Sequence, residues 1–240
     1  MKNFILVFWI LLLFPISPLN AQKTTSTSSI YSFKKRHPYG IGKWYQGREI
    51  AYVMGWQGID WLERDERESE EKTSILIKNM SIKRTDIIAD IGAGSGYHVF
   101  IMAPMVSEGN VYAVDIQPEM LQAIASNTLF QKNNNIKLIR GSEKSVHLPE
   151  NTFDKILMVD VYHEFNFPFE MMQSIRKAMK KNGEIYLIEY RGEDPSVPIK
   201  KLHKMSEKQA VKEMKIAGFR LKKNIDNLPW QHCMVFVKSN

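Results

Sequence analysis

The feature that most constrains the fold is a regular alternation of short apolar runs and helical patterns from Thr85 to the end of the chain. The runs cover residues 87–91, 110–115, 136–140, 153–160 and 183–189, and two more, 220–225 and 232–237, close the chain. Short buried strands that alternate with helices form a parallel sheet with helices on both faces. The sequence therefore predicts an α/β fold built on a doubly wound, mostly parallel sheet.

A glycine-rich loop, Asp-Ile-Gly-Ala-Gly-Ser-Gly at residues 90–96, follows the first of these runs and opens a helix. Glycines let the backbone turn sharply and approach a ligand closely. A nicotinamide-binding loop would need a further glycine where Tyr97 stands, which argues against an NAD-dependent oxidoreductase. Asp90 is placed to meet an ammonium group, and Asp115, at the end of the next run, can accept hydrogen bonds from ribose hydroxyls. An amino acid joined to adenosine, as in S-adenosylmethionine, satisfies both.

At these residues the sequence resembles the class I S-adenosylmethionine-dependent methyltransferases, over about Ile75–Lys238. The resemblance implies a Rossmann-like, seven-stranded sheet that ends in an antiparallel hairpin, with S-adenosylmethionine as the cofactor. It also implies which residues contact that cofactor. These are Asp90, Gly92, Gly94 and Gly96 at the methionine half, Asp115 at the ribose, Ser142 and Glu143 at the adenine, and Asp160 beside the sulfonium; Ile116, next to Asp115, is also expected to bind the cofactor.

The segment 160–168 follows the fourth run and reads Asp-Val-Tyr-His-Glu-Phe-Asn-Phe-Pro. In the family that it resembles, this loop faces the transferred methyl group. His163 has the right unperturbed pKa for a general base, and Glu164 can orient it or bind a cation. We expect both residues to act in catalysis or to touch the substrate; the alternative is that they only shape the loop. Cys233 is the one cysteine, which excludes a cysteine-rich zinc site, and no metal site is predicted.

Residues 1–21 have the pattern of a secretory signal peptide: a short basic start, an apolar run at 4–14 and a small residue, Ala21, at the end. The run is short for a membrane-spanning helix, which needs about 20 residues. This predicts export to a periplasmic or extracellular location. The alternative is an uncleaved anchor that associates with the membrane, with the basic residues at 34–36 holding the domain in the cytoplasm.

Residues 22–72 are predicted to form a linker and an aromatic-rich arm, and residues 73–240 the cofactor domain. The arm holds Trp44, Trp56 and Trp61, three of the five tryptophans, and residues 48–54 are predicted to form a short helix. Two interpretations stay open. The aromatic side chains either only pack the arm onto the domain, or they form a lid over an active site.

The basic surplus, a formal net charge of +7, is concentrated near the C-terminus. Residues 200–240 carry ten Lys or Arg against three acids. Four of these lysines recur at helical spacing, a pattern typical of a solvated helix face, so nucleic acid is not the expected partner. We expect a small organic acceptor, attacked at oxygen, nitrogen or carbon and enclosed by the arm and residues 191–205. The alternatives are a non-catalytic cofactor-binding or membrane-associated module and, with less support, an RNA methyltransferase.

Overall fold

The computed structural model of the protein describes residues 30–240. The predicted signal peptide or anchor at 1–21, and most of the linker that follows it, lie outside the described residues. Within residues 30–240, every helix is too short or too polar to cross a bilayer. Export and membrane anchoring therefore stay predictions from the sequence.

The described part of the chain contains ten strands and eight α-helices. The strands are β1 (Tyr31–Phe33), β2 (Gly40–Tyr45), β3 (Arg48–Ala51), β4 (Ile87–Ile91), β5 (Asn110–Asp115), β6 (Ile136–Arg140), β7 (Phe153–Val159), β8 (Met179–Tyr190), β9 (Phe219–Asn224) and β10 (Gln231–Lys238). The helices are α1 (Ile59–Leu62), α2 (Arg67–Glu71), α3 (Thr73–Met80), α4 (Tyr97–Met102), α5 (Pro118–Ser126), α6 (Thr128–Lys132), α7 (Pro168–Ala178) and α8 (Glu207–Ile216). Two short 3₁₀ turns, Tyr162–Glu164 and Lys201–His203, matter for the site.

Seven of the strands form one sheet in the order β6-β5-β4-β7-β8-β10-β9. Strands β4 to β8 pair in parallel, whereas β10 is antiparallel to both β8 and β9. The predicted seven-stranded, mostly parallel sheet with a terminal antiparallel hairpin is confirmed. The strand order reverses between β4 and β7, and at such a point the loops at the carboxyl ends of the strands diverge and leave a crevice for a ligand.

The sheet is buried on both faces, because successive side chains of its strands enter opposite cores. In β7, Ile156 and Met158 belong to one hydrophobic cluster, whereas Leu157 belongs to the cluster on the other face. All three side chains are fully buried. The parallel sheet is thus a rigid scaffold that presents the loops at its carboxyl ends.

The arm forms a second, three-stranded sheet in the order β1-β2-β3. The short helix predicted for residues 48–54 is therefore wrong, because Arg48–Ala51 is strand β3, paired antiparallel with β2. The reason lies in the turn between the strands. Gln46 and Gly47 both have positive φ angles, 52° and 97°, and this two-residue turn reverses the chain into a hairpin.

A buried ion pair joins the arm to the main domain. The guanidinium of Arg48 donates to both carboxylate oxygens of Glu213 in α8, at 2.9 and 3.0 Å. The hydroxyl of Tyr162 donates to the same carboxylate at 2.9 Å, and Nη1 of Arg48 donates to the backbone oxygen of His163 at 2.9 Å. The side chain of Glu213 is fully buried, so its charge depends on these donors.

We predict that Arg48→Ala lowers the free energy of unfolding by about 3–5 kcal/mol, because the carboxylate of Glu213 stays buried without its cationic partner. Arg84→Ala is the matched control, since it breaks an ion pair with Glu108 that is largely exposed to water. Urea unfolding of both variants checks this. A loss for Arg48→Ala no larger than that for Arg84→Ala would contradict it.

Candidate active site

A cavity of about 650 Å³ lies at the carboxyl ends of β4, β5 and β7, between the main domain and the arm. Of the predicted cofactor contacts in the described residues, all but Asp90 and Gly96 line it, and so do His163 and Glu164. The arm contributes Ile41, Ala51, Tyr52, Val53, Met54, Trp61, Leu62, Arg64, Arg67 and Glu71, and the segment after β8 contributes Pro198, Ile199, Lys200 and His203. The arm is thus both packed on the domain and a wall of the cavity.

The glycines of the loop after β4 serve two purposes. Gly92, Gly94 and Gly96 have φ angles of 75°, 55° and 89°, a region that favours glycine. A Cβ on Gly92 would lie 2.4 Å from Cγ2 of Val161, and one on Gly94 would lie 2.6 Å from Cδ1 of Leu62 in the arm. A Cβ on Gly96 would instead meet the helices behind the loop. The first two glycines leave a cradle facing the cavity, and the third allows close packing.

Asp115 holds this loop in place from the end of β5. Its Oδ2 accepts a hydrogen bond from the backbone N–H of Gly94 at 3.0 Å, and its Oδ1 accepts one from Gln117 at 2.8 Å. Burial raises the pKa of Asp115, and the backbone donors oppose that rise. The neighbouring Ile116 lines the cavity and is 41% exposed. Asp115 is thus placed to fix the glycine loop and to present its carboxylate to a ligand.

Two buried acids each have a carboxylate oxygen that lacks a hydrogen-bond partner among residues 30–240: Oδ2 of Asp90 and Oδ1 of Asp160. Burial raises the pKa of Asp90 to about 7, and Asp115 adds to the rise while Arg67 opposes it. Burial, Glu71 and Glu189 together hold the pKa of Asp160 well above its usual range. Asp160 lines the cavity and accepts a hydrogen bond from Gln231 at 2.6 Å, whereas Asp90 is buried in β4 and does not line it.

These unpaired acids fit a cationic ligand, because a positive charge would stabilise their ionised forms. The ammonium and sulfonium groups of S-adenosylmethionine carry such charges. Ser142 and Glu143 line the cavity beyond Asp115. The hydroxyl of Ser142 donates to the backbone oxygen of Ser145 at 3.4 Å, and the carboxylate of Glu143 accepts from Asn166 at 2.9 Å. The residues present therefore fit the cofactor that the sequence resemblance implies.

His163 and Glu164 reach the cavity from the 3₁₀ turn after β7. Nδ1 of His163 lies 2.6 Å from Oε2 of Glu189, at the end of β8, and Nε2 lies 3.1 Å from Nδ1 of His203. Oε1 of Glu164 lies 3.3 Å from the same atom of His203. Burial lowers the pKa of His163, but the charge and hydrogen bond of Glu189, together with the charge of Glu164, outweigh it and leave that pKa raised.

The sequence placed His203 only in the segment 191–205 that was expected to enclose the site; its contact with His163, and the part that the arm's charged residues play here, were missed. His203 is 40 residues from His163 in the chain, so no local spacing links them. In the arm, Arg67 donates to Glu71 at 2.7 Å, and Tyr190 of β8 donates to Glu71 at 2.8 Å. In the sequence, Arg67 and Glu71 belong to a run of alternating charges. Such a run usually marks a solvated helix, so it gave no indication of a buried ion pair.

Three features together are typical of an α/β protein of the class that binds S-adenosylmethionine: a glycine cradle, a carboxylate at the end of the second parallel strand, and unpaired buried acids. The sequence model of a methyltransferase domain matches residues 82–232 of this chain. The chain belongs to this family, the S-adenosylmethionine-dependent methyltransferases, and is an enzyme of that class.

Relatives of known sequence and structure agree with this assignment. The uncharacterized methyltransferase YcgJ of Bacillus subtilis is 24% identical over 164 residues, which cover 67% of this chain and 64%, or just under two thirds, of that protein. The uncharacterized methyltransferase YdaC of the same organism is 26% identical over 152 residues, which cover 63% of this chain and 81% of that protein. A crystal structure of a SAM dependent methyltransferase from Aquifex aeolicus shares the fold, with a TM-score of 0.72 at 21% identity, covering 77% of this chain and 98% of that one.

We predict that Gly92→Ala lowers the affinity for S-adenosylmethionine by about tenfold or more, because the added Cβ strains the loop and displaces Val161. Gly47→Ala is the matched control. It adds the same methyl group at a positive φ in the arm, where the nearest neighbour is the end of a flexible lysine, 3.8 Å away. Calorimetric titration of both variants measures the affinities. Equal affinities would show that the cradle does not hold the cofactor.

Proposed function

We propose that this enzyme transfers the methyl group of S-adenosylmethionine to a small, largely apolar organic acceptor. One observation carries the proposal: a single cavity joins the glycine cradle and Asp115 to the pair His163 and Glu164. When bound, the cofactor supplies a methyl group that its sulfonium makes electrophilic. The side chains on either side of the cavity then have separate tasks, cofactor binding at one end and acceptor positioning at the other.

The cofactor end is assigned residue by residue. We propose that Gly92 and Gly94 hold the methionine half and that Asp115 and Ile116 contact the ribose. Ser142 and Glu143 stand where the adenine contact is expected. Asp160 lines the cavity with an unpaired Oδ1 and is proposed to face the sulfonium. Asp90, buried in β4 just before the loop and with an unpaired Oδ2, is proposed to act through its charge.

Apolar side chains line much of the cavity, among them Ile41, Val53, Phe165, Pro198 and Ile199, and we assign these to the acceptor end. Such walls suit a molecule with an apolar body, and a few polar groups then fix its orientation. They come from the arm, from the segment after β7 and from the loop after β8, so the acceptor is enclosed on three sides.

His163 and Glu164 are among the polar groups of the cavity lining that we propose face this acceptor. Methyl transfer requires the attacking atom to be held in line with the methyl carbon, so positioning supplies much of the rate. An attacking hydroxyl must also lose its proton, and a group within hydrogen-bond reach has to assist. We propose that His163 and Glu164 position the attacking atom and promote loss of its proton. The general-base role of His163 stays a prediction.

Transfer of a labelled methyl group tests this function. The full chain, kept in mild detergent, is incubated with methyl-labelled S-adenosylmethionine and a small-molecule extract of its native cells. We expect label in the small-molecule fraction, and about 100-fold less in His163→Ala because acceptor activation is lost. The affinity of that variant for S-adenosylmethionine should be unchanged.

His147→Asn, which alters an exposed histidine in a turn, serves as the control and should transfer label normally. RNA and protein fractions of the same cells are assayed in parallel. Label found only in RNA or protein, no transfer at all with cofactor bound, or full activity of His163→Ala would contradict the proposal.

A further inference from the structure

Three side chains of types that bind metal ions converge at the acceptor end of the cavity: His163, Glu164 and His203. Nε2 of His163 lies 3.1 Å from Nδ1 of His203 and 3.8 Å from Oε1 of Glu164, and the last two atoms are 3.3 Å apart. A point between the three atoms lies about 2 Å from each, which is the length of zinc bonds to imidazole nitrogen and carboxylate oxygen. The spacing therefore suits one bound ion.

Glu189 orients His163 for this task. Its Oε2 lies 2.6 Å from Nδ1 of His163, and its side chain is fully buried. Because this carboxylate accepts the proton on Nδ1, the lone pair of the neutral imidazole is on Nε2, which faces His203 and Glu164. A carboxylate behind a ligating histidine is the usual outer partner in metal sites, where it fixes the tautomer and raises the basicity of the ligand.

The local charge also favours a divalent cation. Three carboxylates, those of Glu164, Glu189 and Glu213, surround the turn that carries His163, and each is at most 10% exposed. Arg48 is the cation in direct contact with this group within the described residues, through Glu213 and the backbone oxygen of His163. With neutral histidines, a formal surplus of two negative charges remains, and a doubly charged ion would balance it.

We propose that His163, Glu164 and His203 bind one divalent first-row transition metal ion, with zinc as the representative, and that its open positions face the acceptor. Two imidazoles and one carboxylate favour such ions over magnesium or calcium. The inference rests on the proposed function and specifies its acceptor as a small molecule that attacks through a hydroxyl.

The proposed metal ion explains how the attacking hydroxyl loses its proton. A hydroxyl that coordinates the ion has a lowered pKa and releases its proton to solvent. The oxygen then attacks the methyl carbon; a carbon–oxygen bond forms, the carbon–sulfur bond breaks, and its electron pair stays on sulfur, which becomes a neutral thioether. One proton is released for each methyl group transferred, and no oxidant or reductant is required.

Zinc binding tests the site without an acceptor. The full chain in mild detergent is stripped with a chelator and titrated with zinc chloride in a calorimeter. We expect one zinc ion per chain. Glu164→Gln and His203→Ala should each weaken binding by more than the roughly 10–100-fold that loss of an outer partner costs. His37→Ala, which removes an exposed histidine of the arm, is the control and should bind zinc like the wild type.

Glu189→Gln tests the orienting role and should weaken zinc binding by about tenfold or more. Glu184→Gln, on the same strand but paired with Lys222 at the surface, is its control. S-adenosylmethionine affinity, measured on every variant, shows that the domain is folded. Wild-type protein that binds no zinc, or that binds it no better than Glu164→Gln and His203→Ala, would overturn the inference.

The two proposals can fail separately. The chelator-treated protein could bind no zinc and still transfer methyl groups to small molecules. That result would support the proposed function and overturn the metal site. Conversely, the wild type could bind zinc tightly, both ligand variants could lose that binding, and no form could bind S-adenosylmethionine. That result would support the metal site and overturn the proposed function.

Discussion

The buried ion pair between Arg48 and Glu213 is the interaction on which the shape of the active site depends. Arg48 belongs to the arm and Glu213 to helix α8, so the pair fastens two parts of the chain that are far apart in sequence. The same guanidinium donates to the backbone oxygen of His163. Removing the pair would therefore loosen both the wall of the cavity and the turn that carries its histidine.

Two buried acids at or next to the cavity have too few positively charged or hydrogen-bonding partners. Asp90 and Asp160 each keep an unpaired carboxylate oxygen, and burial raises the pKa of both. Buried acids of this kind destabilise a fold unless a positive charge reaches them. A cationic cofactor that reaches these two acids would relieve part of this cost, so cofactor binding and domain stability are expected to be coupled.

Most of the main domain could be predicted from the sequence, because buried parallel strands and the glycine loop leave strong local patterns. The position of Asp115 could also be predicted, since this residue ends a strand next to that loop. Strand β3 could not be predicted, because its apolar residues resemble a short helix. Only the turn at Gln46 and Gly47 pairs it with β2 as a hairpin. The contacts of His203 could not be predicted, because its partners His163 and Glu164 lie in the turn after β7, with His163 40 residues earlier in the chain, and only the folded sheet brings the two turns together.

A crystal structure of the full chain with S-adenosylhomocysteine would test the central claim, that one cavity holds cofactor and acceptor side by side. We expect the ribose at Asp115, the amino-acid half along Gly92 and Gly94, and the sulfur between Asp160 and His163, with open space beyond the sulfur that the arm encloses. A cofactor bound elsewhere, or a sulfur that faces away from His163 and Glu164, would contradict it.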